Sequence, residues 1–295
     1  MDLICPQCRS VLSDELSCSG CGRVFGQAGE VPILLPEDSV FNADQVVDRR
    51  GYFQSGSSDS RLKVRLRRSL PSIAGDSSIG IEDEYLATTN GSGLIIGAGS
   101  RRTHQMQYPA IDWLVTDVDL THGVDMIVDA TALPFADGEF NVVIADHVIE
   151  HVFDMQAAAA EIQRVCAVTG TIVIRVPFCH PWHGQPYDFF RCTPTGLRAL
   201  FRDCDVLELC AGQGSASAVA SMTNRLVVDL SGGRWTRRAL NALSRILLSG
   251  LKLLDKRRTT VQIGSAGSLT LVGRKSTHRR SPAEVIEEVK LLTER

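Results

Sequence analysis

Four cysteines open the chain in two knuckles, Cys5-x-x-Cys8 and Cys18-x-x-Cys21, nine residues apart. Zn²⁺ takes four soft ligands in a tetrahedron, and each C-x-x-C turn offers two thiolates about 3–4 Å apart on one side of the ion. Gly20 and Gly22 flank the last ligand, where tight turns favour glycine. A redox dithiol or buried thiols are the alternatives; the paired spacing predicts a metal site at Cys5, Cys8, Cys18 and Cys21. A unit this small has too little core to fold alone, so the metal is expected to hold it together.

A second set of residues is suited to a nucleoside ligand. Leu94-Ile95-Ile96-Gly97-Ala98-Gly99-Ser100 reads as a buried strand entering a glycine turn, where small residues let backbone approach a ligand. Asp117-Val118-Asp119 follows at about the 20-residue spacing at which an acid accepts ribose hydroxyls. Asp129-Ala130 closes a further strand, and Asp146-His147 another. The third set is the stretch Phe178 to Pro194, which gathers His180, His183, Asp188 and Arg191 among aromatics. Histidine near neutrality is a natural general base, and Asp188 could orient it or pair with Arg191. These groups could equally form a structural plug that satisfies its own polar atoms.

Positioning these residues is the work of short apolar runs: Leu94–Ile96, Trp113–Val115, Met126–Val128, Val142–Ile144 and Thr171–Val176. Such runs read as strands buried on both faces of a parallel sheet. Between the last two, Met155 to Val168 is helical in pattern and closed by Gly170. Thr195–Phe201 predicts a helix, Val206–Leu209 and Ser268–Val272 strands, and Ser281-Pro282-Ala283-Glu284 a capping box opening a final helix. The expected fold is α/β: a Rossmann-like, doubly wound, mostly parallel sheet with a small N-terminal zinc ribbon. The expected divisions are 1–36 (ribbon), 37–90 (linker with a basic helix over Arg61–Arg68), 91–275 (α/β domain) and 276–295 (tail helix). Within the third, Arg234 to Arg258 predicts a helix with Leu240, Leu243, Leu247, Leu251 and Leu254 on one face and Arg238, Arg245, Lys252 and Lys256 on the other. That helix either covers the sheet or the active site, with a solvated basic face, or lies on an anionic membrane surface; binding of RNA phosphates is a third reading.

The ordered motifs from Gly93 to Phe178 resemble the class I methyltransferases of the type 11 group: the glycine turn, Asp129-Ala130 ahead of Leu133-Pro134-Phe135, and Phe140 through Val152. The resemblance implies S-adenosylmethionine (SAM) as cofactor. Gly97, Ala98 and Gly99 would then line its methionine part, Asp117 or Asp119 the ribose, Asp129 and Ala130 the adenine edge, with Asp146 and His147 near the sulfonium. The chain departs from that pattern at Ile95, where an acid is usual, and at Arg101, where a third glycine is usual. Only eleven residues separate Asp117 from Asp129, too few for an ordinary crossover helix. A dinucleotide dehydrogenase fits less well, because Arg102 fills the slot of its third glycine. The segment from Leu3 to Pro36 resembles the Trm112-like zinc domain, a family known as a methyltransferase partner.

With 295 residues, 44% apolar composition and a net charge of −3, the chain has the balance of a folded protein rather than a dedicated nucleic-acid binder. No signal peptide or bilayer-spanning run is expected, and thiolate ligands suit a reducing compartment, so the cytoplasm is the expected location, with peripheral membrane contact as an extension. The expected activity is methyl transfer to an O or N atom of a small-molecule, glycan or lipid-linked acceptor. An rRNA-type methyltransferase, or a silent methyltransferase-like scaffold, is the alternative; 6% aromatic residues offer few stacking platforms for RNA.

Overall fold

The computed structural model describes residues 2–41, 70–74, 80–97, 107–120, 123–184, 187–255 and 260–293. Among the described residues nine strands form one mixed sheet: β1 Gly26–Ala28, β2 Val31–Leu34, β3 Gly91–Ile96, β4 Ile111–Asp117, β5 Met126–Val128, β6 Phe140–Asp146, β7 Cys166–Pro177, β8 Cys204–Gln213 and β9 Ser268–Lys275. Their order is β1-β2-β5-β4-β3-β6-β7-β9-β8. The run from β2 to β7 is parallel throughout; β1 and β9 run antiparallel to their neighbours. All five apolar runs lie in strands, and all their residues but Trp113 and Leu114 are buried, as in a sheet covered on both faces. The Rossmann-like architecture is therefore as expected.

Six α-helices are named here: α1 Asp83–Leu86, α2 Met155–Val165, α3 Pro194–Leu200, α4 Ser215–Asp229, α5 Arg234–Leu248 and α6 Pro282–Thr293. The Ser281 hydroxyl lies 3.4 Å from the Glu284 amide, and the Glu284 carboxylate accepts from the Ser281 amide at 2.7 Å, so the capping box forms. The link between β4 and β5 carries no α-helix among its described residues, as the eleven-residue spacing required.

Three expectations need correction. Helix α2 stops at Val165, not Val168: Cys166 pairs with Phe140, both buried, and residues 166–170 already belong to β7. Thr169 adopts φ +68° there, which no helix accommodates. The basic helix ends at Leu248, is followed by a 3₁₀ turn Leu251–Leu254, and is preceded by α4, which was not anticipated. Its leucine face does not cover the sheet: Leu243 and Leu247 are 52% and 70% exposed, while Ser244 faces α4 and donates to Asn224 at 2.5 Å. The basic helix expected over Arg61–Arg68 lies outside the described residues.

The cysteine-bearing segment is built into the sheet rather than hung beside it. Bridges Ile4–Val11, Leu12–Cys18 and Ser17–Val24 shape it, and β2 then pairs in parallel with β5 through Ile33–Ile127 and Leu34–Val128. Leu12, Cys18 and Phe25 share one apolar core with Leu133, Phe135 and Ile162. The Ile4 amide donates to the Pro134 carbonyl at 3.0 Å, and Arg9 pairs with the buried Glu161 at 2.5 Å. Glu161 in turn accepts from Arg164 and from the Leu133 amide, fixing the Leu133-Pro134-Phe135 turn between ribbon and helix.

Candidate functional site

The strand order reverses between β3 and β6, since β4 and β5 extend one way and β7 the other. In open α/β sheets ligands bind at the carboxyl ends on either side of such a reversal. Gly97 ends β3 there with φ +69°, and a β-carbon on it would come within 2.2 Å of Val148, so both backbone and space demand glycine. Ala98, Gly99 and Arg101 lie outside the described residues. Ile95, the departure from the usual acid, is buried in one cluster with Val115 and Ile127.

Asp117 ends β4 and accepts from the Val118 amide at 2.7 Å; Asp119 follows, and both are buried. Asp129, beyond β5, is 3% exposed, with Ala130 buried next to it. Thr131 donates to Asp129 Oδ1 from its amide and hydroxyl, and the Ser39 hydroxyl donates to Oδ2 at 2.5 Å. Each carboxylate oxygen has two lone pairs, so acceptor capacity remains. The segment following the ribbon thus reaches over this edge, with Phe41 packed 6.0 Å from Tyr187.

Asp146 ends β6. It faces Arg175 Nη1 at 3.5 Å, and Arg175 also pairs with the buried Glu82 at 2.6 Å. His147 then turns out at φ +55°, its amide donating to the Arg175 carbonyl. Its Nδ1 lies 3.2 Å from Glu150 Oε1. Glu150, 1% exposed, is the residue that sequence reasoning missed; the signal was its place three residues after His147 on a turn, within reach of the same edge. His151 Nδ1 is hydrogen-bonded to the Tyr187 carbonyl, and its Nε2 lies 3.8 Å from the same carboxylate oxygen.

The loop after β7 closes over this cluster. Amides of Phe189 and Phe190 donate to the Glu150 carbonyl. Gly184, at φ +61°, packs its backbone on His151, where a β-carbon would lie 2.5 Å from the ring. His183 Nε2 reaches Glu150 Oε1 at 3.7 Å, and its ring stacks edge-on against both His151 and His180. Asp188, with no side-chain exposure, takes a bidentate pair from Arg191 at 2.5 and 2.7 Å, and Arg191 also binds the carbonyls of His180, Pro181 and Phe190. Asp188 and Arg191 therefore brace the loop that carries His180 and His183.

Charge states follow from these contacts. Burial favours the neutral form of Glu150, but hydrogen bonds from His147 and His183 outweigh it and hold the carboxyl down to about 2. Asp188 is likewise about 2, because the Arg191 guanidinium overcomes desolvation. Burial, aided by the charge of His183, lowers His180 to about 4, so its imidazole is neutral at pH 7.

At the other end of the chain, Cys5 Sγ lies 3.7 Å from Cys21 Sγ and Cys8 Sγ 3.4 Å from Cys18 Sγ, all four sulfurs falling within 4.8 Å of one another. A disulfide needs about 2.05 Å, whereas Zn–S bonds of about 2.3 Å separate tetrahedral sulfurs by about 3.8 Å. The donor set and its spacing fit zinc. A cavity of about 1080 Å³ lies on the α2–α3 side, lined by Gln156, Arg164, Arg191 and Arg202 among others.

Fold and edge together define a Rossmann-like α/β protein whose acids and histidines converge at the switch point. Residues 96–174 match the methyltransferase domain family. No curated protein matches the chain by sequence. Among solved structures, a chain of the Haloferax volcanii complex containing the Trm112 methyltransferase activator is similar at 17% identity and a TM-score of 0.47, covering 77% of this chain and 99% of that one. The cyclase SpnF matches at 17% identity and 0.43, covering 77% and 87%. Haemonchus contortus phosphoethanolamine N-methyltransferase 2 in complex with S-adenosyl-L-methionine matches at 12% and 0.44, covering 68% and 52%.

Proposed function

We propose that this protein transfers a methyl group from SAM to an O or N atom of an acceptor, with a zinc-held ribbon as a structural part of the enzyme. The observation that supports the reading most is the meeting of Gly97, Asp117, Asp129, Asp146 and His147 at one sheet edge inside the family-matched region. Asp117 or Asp119 would hold the ribose diol, Asp129 and Ala130 the adenine edge, and the Gly97 turn the methionine part. SAM, when bound, supplies an electrophilic methyl group. The protein's task is to aim the acceptor atom along the S–CH₃ axis and take up its proton. His147 stands at the rim for that work. His180 Nδ1 sits 2.9 Å from the Pro181 carbonyl and donates to it, leaving Nε2 as a proton acceptor. Asp188 and Arg191 act as positioning residues for that loop.

Titration calorimetry tests the reading. SAM should bind the wild-type protein, and Asp117→Ala should weaken binding about 10–100-fold, the loss of charge-assisted hydrogen bonds to a sugar diol. Absence of any heat with SAM would leave the silent-scaffold alternative standing. Transfer of labelled methyl into separated lipid, RNA, protein and metabolite fractions then identifies the acceptor, with an RNA signal supporting the rRNA-type alternative.

A second observation favours an acceptor met at a membrane. Helix α5 carries Arg234, Arg237, Arg238 and Arg245 and no acid, and Trp235, Leu243, Ile246 and Leu247 are exposed, as are Leu226 of α4 and Leu230 just after it. An amphipathic helix with arginines and uncovered leucines has the chemistry of attachment to an anionic bilayer surface. No helix among the described residues is long and apolar enough to cross a membrane. The reading places the enzyme in the cytoplasm, where thiolates stay reduced, in contact with the bilayer surface. Co-sedimentation should show binding to phosphatidylglycerol vesicles that falls with salt and is abolished by the double substitution Leu243→Glu, Leu247→Glu. Equal binding to phosphatidylcholine vesicles, or none to either, would remove the membrane from the account.

A further inference from the structure

Beyond methyl transfer, the histidines around Glu150 have the arrangement of a second metal site. His147 and Glu150 come from the turn after β6 and His183 from the loop after β7, and their donor atoms all lie within 4.8 Å of one another. Glu150 Oε1 is 3.2 Å from His147 Nδ1 and 3.7 Å from His183 Nε2. Metal–ligand bonds of about 2.1 Å place neighbouring ligands about 3.0 Å apart in an octahedron and about 3.4 Å apart in a tetrahedron. The 3.2 Å pair falls inside that range and the 3.7 Å pair lies a few tenths of an ångström beyond it.

Two further observations point to a cation. Glu150 is 1% exposed, yet no group among the described residues donates to its Oε2. A buried carboxylate oxygen left so is costly, and a metal ion relieves it. His183 Nδ1 lies 3.3 Å from Asp188 Oδ2, with Arg191 Nη2 3.4 Å from the same nitrogen and paired to the same carboxylate. Asp188 and Arg191 thereby hold the ring with its Nε2 toward Glu150, as outer carboxylates orient ligand histidines in metal sites. The left-handed backbone at His147 is what turns its imidazole back toward Glu150, a strain retained where a site needs it.

We propose that His147, Glu150 and His183 bind a first-row divalent metal ion, and that its remaining coordination positions take an oxygen of the methyl acceptor. Two imidazoles and one carboxylate on one side of an ion suit Zn²⁺, Mn²⁺, Fe²⁺ or Co²⁺ and leave the opposite side for a ligand. The acceptor clause rests on the methyl-transfer reading; the ion itself does not.

The test is titration of Co²⁺ into zinc-loaded, full-length protein, followed by visible absorption. The expected result is about one further equivalent with weak d–d bands and no thiolate charge-transfer band, since the ligands are nitrogen and oxygen. Glu150→Gln and His183→Gln should each lose that equivalent, and Asp188→Asn should weaken it roughly 10–100-fold through loss of the orienting carboxylate. A spectrum with only a thiolate band, no second equivalent, or a second equivalent unchanged in Glu150→Gln and His183→Gln would overturn the site. Calorimetry with SAM on the same zinc-loaded protein, before and after cobalt, keeps the two readings apart, because failure of one leaves the other's signal intact.

Discussion

Serine in place of Cys18 is expected to release the ribbon from the rest of the molecule. Cys18 is 3% exposed and Cys5 fully buried, and both belong to the core cluster that includes Leu133 and Phe135. The ribbon's own apolar residues are few, so a bound metal would supply the free energy that its core does not; zinc in small cysteine sites is worth roughly 10–16 kcal/mol in apparent binding energy. With one thiolate gone, the ribbon should open, uncovering the Leu133-Pro134-Phe135 turn and freeing the buried Glu161 from Arg9. The expected readouts are a fall in Tm of about 10 °C or more, corresponding to some 3 kcal/mol in a chain of this size, and new proteolytic cleavage before residue 36. A chelator should reproduce both in the wild-type protein. A variant with unchanged Tm and unchanged protease resistance would mean that packing alone holds the ribbon.

Replacing Glu288 with alanine should cost about 3 kcal/mol. Arg198 on α3 has no solvent exposure, and its guanidinium is compensated by Glu288 of α6 at 2.5 Å together with the carbonyls of Phe201 and Cys204. Removing the carboxylate leaves a buried cation without its counter-charge, which typically costs 3–5 kcal/mol. The value sits at the low end because the Glu288 side chain is 34% exposed and Arg198 keeps two carbonyl acceptors. Glu288 also pairs with Arg280 at 2.5 Å, so α6 should detach first. Denaturant unfolding should show a lower midpoint, and amide exchange should show loss of protection across α6. Arg198→Met combined with Glu288→Ala should recover part of the loss by removing the stranded charge; no recovery would place the damage in packing rather than in charge.

Strands β3 to β7 were legible in the sequence because a strand buried on both faces needs an unbroken apolar run, and each such run here is one; β1 and β2, inside the turn-rich ribbon segment, were not anticipated. The gathering of the four cysteines was legible because C-x-x-C spacing is a local geometric requirement. Helix ends were less so. Cys166 to Val168 reads equally well as the end of α2 or the start of β7, and the Phe140–Cys166 pairing decides it. The α5 stripe misled for a related reason: periodicity shows that a helix has an apolar face, not that anything covers it. Ser244, hydrogen-bonded to Asn224, is the buried contact, and the leucines face outward.

What the sequence by itself determined was the class of fold, the thiolate set, and the residues at strand ends, since each follows from spacing along a few neighbouring positions. What only the tertiary structure decided was which distant groups share a space. Glu150 gained its meaning when the loop after β7 laid His183 against it, and Asp188 and Arg191 when they bound each other and that loop's carbonyls. The ribbon became part of the sheet through a pairing between Ile33 and Ile127, ninety-four positions apart. Contacts of that kind depend on the path of the whole backbone, and no local pattern encodes them.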